Sequence, residues 1–172
     1  MAEIIYKLYD HSNGVNLLGD FMSEDIYSEA HKNLPILCHD VFIKHQGGII
    51  LVKREREPAK GKWWPVGGRV LRGVSFEDSL KDKAKKECGL SLKNIELMGI
   101  VRHFFDDAYI QHEKGTDTPT LVYFADGEGE INLDKLHSAY RIIKKEDFYK
   151  NVRDYDHEVK DFMEKIISEG KI

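Results

Sequence analysis

The chain has 172 residues, 41% of them hydrophobic, with a formal charge of -4 and a pI near 6.1; this suits one domain with a sizeable core and excludes whole-molecule attraction for nucleic acid or an anionic membrane. No stretch approaches the roughly 18 apolar residues of a membrane span, and the first residues lack the apolar run of a secretory leader, so a soluble, cytoplasmic protein is expected. Two isolated cysteines, Cys38 in an apolar run and Cys88 at a helix end, read as reduced core residues and not as a disulfide framework.

In chain order, residues 1–20 form an N-terminal extension, with an added edge strand over residues 4–9 and a turn at Asn13-Gly14. A single domain follows over 21–172. Residues 23–33 open on Ser23, stop before Pro35 and predict a short helix. Residues 36–44 and 49–54 are apolar, β-branched runs around Gly47-Gly48 and predict a hairpin. The next helix is well marked: Ser75 can cap it, Asp78 stands at the capping-box position, and Gly89 can close it in the left-handed conformation. Phe76, Leu80, Ala84 and Cys88 recur along it as a buried face. Residues 97–105 and 120–125 are strand candidates, separated by a polar stretch, 106–119, that reads as a loop over a ligand. Residues 140–143 predict a strand and 146–149 a helical turn. The last helix, about 154–168, buries Tyr155, Val159, Phe162, Met163 and Ile166.

Gly67-Gly68 ahead of a capped helix lets backbone approach a phosphate closely, and a helix amino terminus favours anions; as a bare pair it is equally a plain turn. A charge within an apolar strand is costly unless partnered, which marks Asp40 as a functional residue. The segment 67–90, GGRVLRGVSFEDSLKDKAKKECGL, resembles the signature box of Nudix hydrolases with most of its acidic residues missing. In that family the box is a glycine loop and a helix whose glutamates hold Mg2+ against a diphosphate. Here Lys83 and Lys86 stand at two glutamate positions, and Glu87 keeps its own. Val74 and Asp82 replace both partners of a structural salt bridge, which leaves no buried charge unpaired. Residues 51–69, 102–107 and 115–117, then His137 with Tyr140-Arg141, resemble in the same order the GDP-mannose mannosyl hydrolase subfamily.

The resemblance implies an α/β fold, the Nudix α/β/α sandwich with a mixed β-sheet, in a homodimer. It implies Mg2+ on Glu87 and on a backbone carbonyl of Gly67 or Gly68. It also implies Arg54 and Arg69 at the leaving diphosphate, Asp40 and His103 at the substrate, and His137 as general base, with Arg69 assisting catalysis. Each residue also has a plainer reading. Glu87 and Lys83 suit an i,i+4 ion pair, Lys83 suits either a phosphate contact or a bare surface position, Arg54 suits an exposed strand end, and His103 suits a satisfied strand-edge histidine. Leu136 stands where the subfamily has a further metal ligand. The implied activity is release of sugar from a nucleoside diphosphate sugar of the GDP-mannose or GDP-glucose type, by water attack at the anomeric carbon. A catalytically degenerate domain that binds a nucleotide or nucleotide sugar, and a diphosphohydrolase attacking phosphorus, are the alternatives.

Overall fold

The structure, a computed structural model, describes residues 6–20, 22–108, 110 and 112–172. At its centre is β1 (Cys38–His45), which runs parallel to β6 (Thr116–Glu128) and antiparallel to two other strands. Its carboxyl-terminal half pairs with β2 (Gly48–Arg54), Ile43 facing Ile50; its amino-terminal half pairs with β4 (Val66–Arg69), Asp40 facing Gly67. The sheet order is β3-β2-β1-β6-β5, with β4 on β1 and β7 (His137–Ile143) on β2, so the sheet is mixed as expected. β3 is the two-residue strand Trp63–Trp64.

Side chains alternate across a strand, and the two cores follow that alternation. Val41, Ile43, Ile50 and Val52 pack with Leu80, Ala84 and Cys88 of α2 (Phe76–Cys88). Phe42, Ile49, Leu51 and Val122 pack on the other face with Val159, Phe162, Met163 and Ile166 of α4 (His157–Ser168). Ser75 Oγ accepts from Asp78 N at 3.1 Å, and Gly89 closes α2 at φ 79°. The box helix therefore folds as expected without its salt bridge; Asp82 pairs instead with Lys86 at 2.7 Å.

Several boundaries differ from expectation for local reasons. The hairpin turn is Gln46-Gly47, both at positive φ, and Gly48 already belongs to β2; a side chain there would meet Ile143 O at 2.7 Å. β5 runs Ser91–Phe105, longer than the alternation suggests, because irregularities at 93–96 and 97–99 shift its period. β6 begins at Thr116, ahead of Pro119, since β1 does not pair with it until Thr120 and the missing proline N–H costs no ladder bond there. Residues 116–119, expected in the preceding loop, therefore belong to β6. α4 starts at His157, preceded by a 3-10 turn at Val152–Asp154. α1 (Glu24–Asn33) and α3 (Lys145–Lys150) match their expected places.

The edge strand expected over residues 4–9 falls partly on residues outside those described, and Tyr6–Tyr9 form no strand. The extension lies along the approach to α2: the Tyr6 ring lies against Phe76, tilted by 32° at 4.9 Å, and Arg72 donates to Leu17 O. Among the described residues no helix is long and apolar enough to cross a membrane.

Candidate active site

A cleft of about 490 Å3 opens where β1 passes from β2 to β4, and Asp40, Arg54, Gly67, Gly68, Arg69, Lys83, Glu87, His103 and His137 all line it. The nine residues singled out along 98 positions of chain are thus neighbours in space.

The glycines are held in place by the sheet. Gly67 sits opposite Asp40 across the β1–β4 pairing, where an added Cβ would lie 2.8 Å from Asp40 Cα and closer still to Asp40 Oδ1 and His39 O. Gly68 is at φ 136°, which L side chains rarely adopt. What reads as a loop is a strand, too short to show a period. His39, on the opposite face, is buried and bonds Ser79 Oγ at 2.7 Å, while Ser79 Oγ accepts from Leu71 N at 3.0 Å; this anchors the strand and the following loop to α2.

Glu87 projects from the last turn of α2 and is 7% exposed. Its Oε1 lies 3.4 Å from Lys83 Nζ, whereas Oε2 is buried without a hydrogen-bond partner. Burial raises its pKa, opposed by the charges of Lys83 and His137. Lys83 bends toward the glycines: a Cβ on Gly68 would lie 3.4 Å from its ammonium. Lys86, at the other altered position, points away into solvent with its side chain 70% exposed.

His137 reaches the cleft because the segment before it is stitched to the end of α2, Asn132 N to Cys88 O at 2.9 Å and Asp134 N to Glu87 O at 3.1 Å. It also faces Arg54 across the β2–β7 pairing. His137 Nδ1 lies 2.8 Å from Asp134 Oδ1. A ring nitrogen facing a carboxylate carries the proton, so the neutral ring keeps its lone pair on Nε2. The Asp134 oxygen also accepts from Leu136 N at 2.8 Å, which fixes the carboxylate.

Asp40, Trp64, His103 and Phe105 line another part of the cleft, with Glu158 against His103. Trp64 Nε1 donates to Asp40 Oδ2 at 3.0 Å. Burial, followed by the Glu158 charge, pushes the Asp40 carboxyl up to about 7. His103 stacks on Phe105 at 5.5 Å, and its Nε2 lies 2.9 Å from Glu158 Oε2 without hydrogen-bond alignment. The Glu158 carboxylate nevertheless raises the His103 pKa against the opposing effect of burial. Arg54 Nε donates to Pro58 O at 2.9 Å, and the Arg69 guanidinium lies over the Tyr27 ring of α1 at 5.0 Å. Cys38 and Cys88 are free, with thiols that burial pushes up to about 12 and about 11, so neither is an activated nucleophile.

Four contributors escape the sequence reading. Asp134 had a usable signal, an acid three residues before the candidate base. Trp64, Glu158 and Tyr27 had none, because no spacing rule links them to Asp40, His103 or Arg69.

The donor set bears on a metal. Among the described residues no group of three or more His, Cys, Asp and Glu is placed to hold one, and Leu136 lines the cleft where the subfamily ligand would stand. Among the described residues that line the cleft, Glu87 offers a fitting donor, the buried Oε2 without a hydrogen-bond partner. A single hard cation that takes its remaining ligands from phosphate oxygens and water suits such a site; a metal cluster does not.

Comparison with known proteins accords with this geometry. The chain is 27% identical over 125 residues to the low-salt glycan biosynthesis protein Agl8 of Haloferax volcanii, covering 70% of this chain and 78% of that protein. It is 26% identical over 77 residues to putative nudix hydrolase 1 of Caenorhabditis elegans, 43% of this chain and 21% of the relative. Among solved structures, the MutT NUDIX hydrolase of Burkholderia pseudomallei aligns with TM-score 0.54 at 27% identity, over 63% of this chain and 82% of that one. The MutT protein of Methanosarcina mazei Go1 shares the fold at TM-score 0.61 and 19% identity, over 81% and 99%. A family profile described as the NUDIX domain matches residues 39–166, so the chain belongs to the Nudix family, whose members generally use divalent metal ions.

Proposed function

We propose that the protein hydrolyses a nucleoside diphosphate sugar by water attack at the anomeric carbon. The carrying observation is the His137–Asp134 pair at 2.8 Å beside a box that turns one carboxylate, Glu87, to the cleft. A water proton moves to His137 Nε2 while the oxygen attacks carbon; the bond from carbon to the diphosphate oxygen breaks, and the nucleoside diphosphate leaves with the electron pair. Arg54 and Arg69 stabilise the charge on that leaving group. Glu87 and a carbonyl of Gly67 or Gly68 would hold Mg2+, which would supply further charge neutralisation. Asp40 and His103 orient the sugar or base. Similarity to the low-salt glycan biosynthesis protein Agl8 supports a sugar-containing substrate, and the subfamily resemblance favours GDP-mannose or GDP-glucose.

The test is hydrolysis of these nucleotide sugars in ¹⁸O-water with products read by mass and phosphate NMR. Label in the released sugar is expected; label in phosphate restores attack at phosphorus. A second reading, a nucleotide-sugar sensor without turnover, is favoured by one observation, the Lys83 ammonium already set against Glu87. Tight binding with no product identifies it. A cytoplasmic homodimer belongs to the same proposal, its assembly to be checked by light scattering.

A further inference from the structure

Lys83 stands where carboxylate-rich boxes place a metal-binding glutamate, and the structure turns it into the cleft. Its ammonium bridges the two halves of the box, 3.4 Å from Glu87 Oε1 on the helix and against Gly68 on the strand. Its side chain is 26% exposed, compared with 70% for Lys86 three positions on. Lys83, Arg54 and Arg69 all line the cleft, with the carboxylates of Glu87 and Asp40 among them, and of these three cations Lys83 is the one carried on the box helix. A lysine ammonium is a compact point charge that serves phosphate oxygens well.

We propose that Lys83 is a built-in counter-cation for the diphosphate, taking over the neutralising part that divalent ions play in carboxylate-rich boxes, so that the cleft holds its anion without a divalent ion. This rests on the diphosphate reading of the cleft and deepens it: metal and anion bind through separate groups, Oε2 of Glu87 and Nζ of Lys83. A phosphate oxygen entering beside Nζ draws the ammonium from Glu87 and leaves that carboxylate with both oxygens turned to the cleft. The anion thereby improves the site for a cation that follows it.

The experiment is calorimetric titration of the full chain with inorganic diphosphate and with GDP, in EDTA and in Mg2+. The wild type is expected to bind GDP in EDTA within about tenfold of its affinity in Mg2+, since tenfold is a modest change in electrostatic free energy. Lys83→Met is expected to lose about tenfold or more in EDTA, with Lys83→Arg restoring most of it. Because Lys83→Met leaves Glu87 unpaired, the double variant Lys83→Met/Glu87→Gln is measured as well; it too should lose the EDTA binding, whereas Glu87→Gln alone should keep it. Wild-type binding that demands Mg2+, or equal EDTA affinity for wild type and either Lys83→Met variant, overturns the inference and leaves the proposed function standing. No binding of either compound in either buffer overturns both.

Discussion

Replacing Asp40 by Asn removes a residue of the cleft and should stabilise the fold. The Asp40 carboxyl is 7% exposed, takes a hydrogen bond from Trp64 at 3.0 Å, and is pushed up from 3.8 to about 7 by burial and by Glu158. The unfolded chain releases this proton near 3.8 and the folded chain holds it to about 7. Between those values the native state binds more protons, so stability falls as pH rises through the window. At about 1.36 kcal/mol per pKa unit the gap sets a ceiling of about 4 kcal/mol above pH 7. Asn has the same shape, no charge, and an oxygen for Trp64. We expect Asp40→Asn to gain at least about 2 kcal/mol near pH 8.5 and only a few tenths near pH 4, allowing for relaxation around a buried charge. Urea unfolding followed by tryptophan fluorescence at both pH values measures this. No gain near pH 8.5 refutes the burial argument, and an equal gain at both pH values assigns it to packing.

The neighbouring His39 slopes the other way: buried, with its pKa lowered from 6.5 to about 4 chiefly by desolvation, it costs the native state about 3 kcal/mol as pH falls through that window. His39→Asn should flatten the acid limb of a stability profile; an unchanged limb rejects the assignment. His137→Ala should lower turnover by about 10²–10⁴-fold with little change in nucleotide affinity, and equal loss in both would make His137 a binding residue. Gly67→Ala should destabilise by about 3 kcal/mol or prevent folding, because the new methyl has no room against β1; a melting temperature equal to wild type would show that β4 can move.

What was legible in the sequence was whatever a local rule encodes. α2 was plain from its caps and its buried face, and Asp40 stood out as a charge in an apolar strand. β3 and β4 were hidden because strands of two and four residues show no alternation. The length of β5 was hidden by its bulges. The site was legible where a motif spans it and illegible where tertiary packing supplies it. Glu158 approaches His103 from a helix 55 positions later in the chain, through a contact that only the packing of α4 on the sheet creates. The difference between Lys83 and Lys86 is of the same kind: both lie on one helix, yet only one faces the glycines.

The crowding of Gly67 against β1 has a consequence for how such a domain can change over generations. Its strand half is a rail: Gly67 and Gly68 are paired residue by residue with β1, and any side chain at Gly67 displaces the central strand. The exposed positions of its helix half are freer: Lys86 stands 70% exposed against Asp82, and a charge reversal in such an i,i+4 pair costs about 0.2–0.5 kcal/mol. Position 83 is bound more tightly, because a glutamate there would face the buried carboxylate of Glu87 with no cation between them. A lineage can therefore change the charge at position 86 on an unchanged backbone, whereas a return to glutamate at position 83 needs a cation in the cleft to accompany it, which ties the history of this helix to the ions around it.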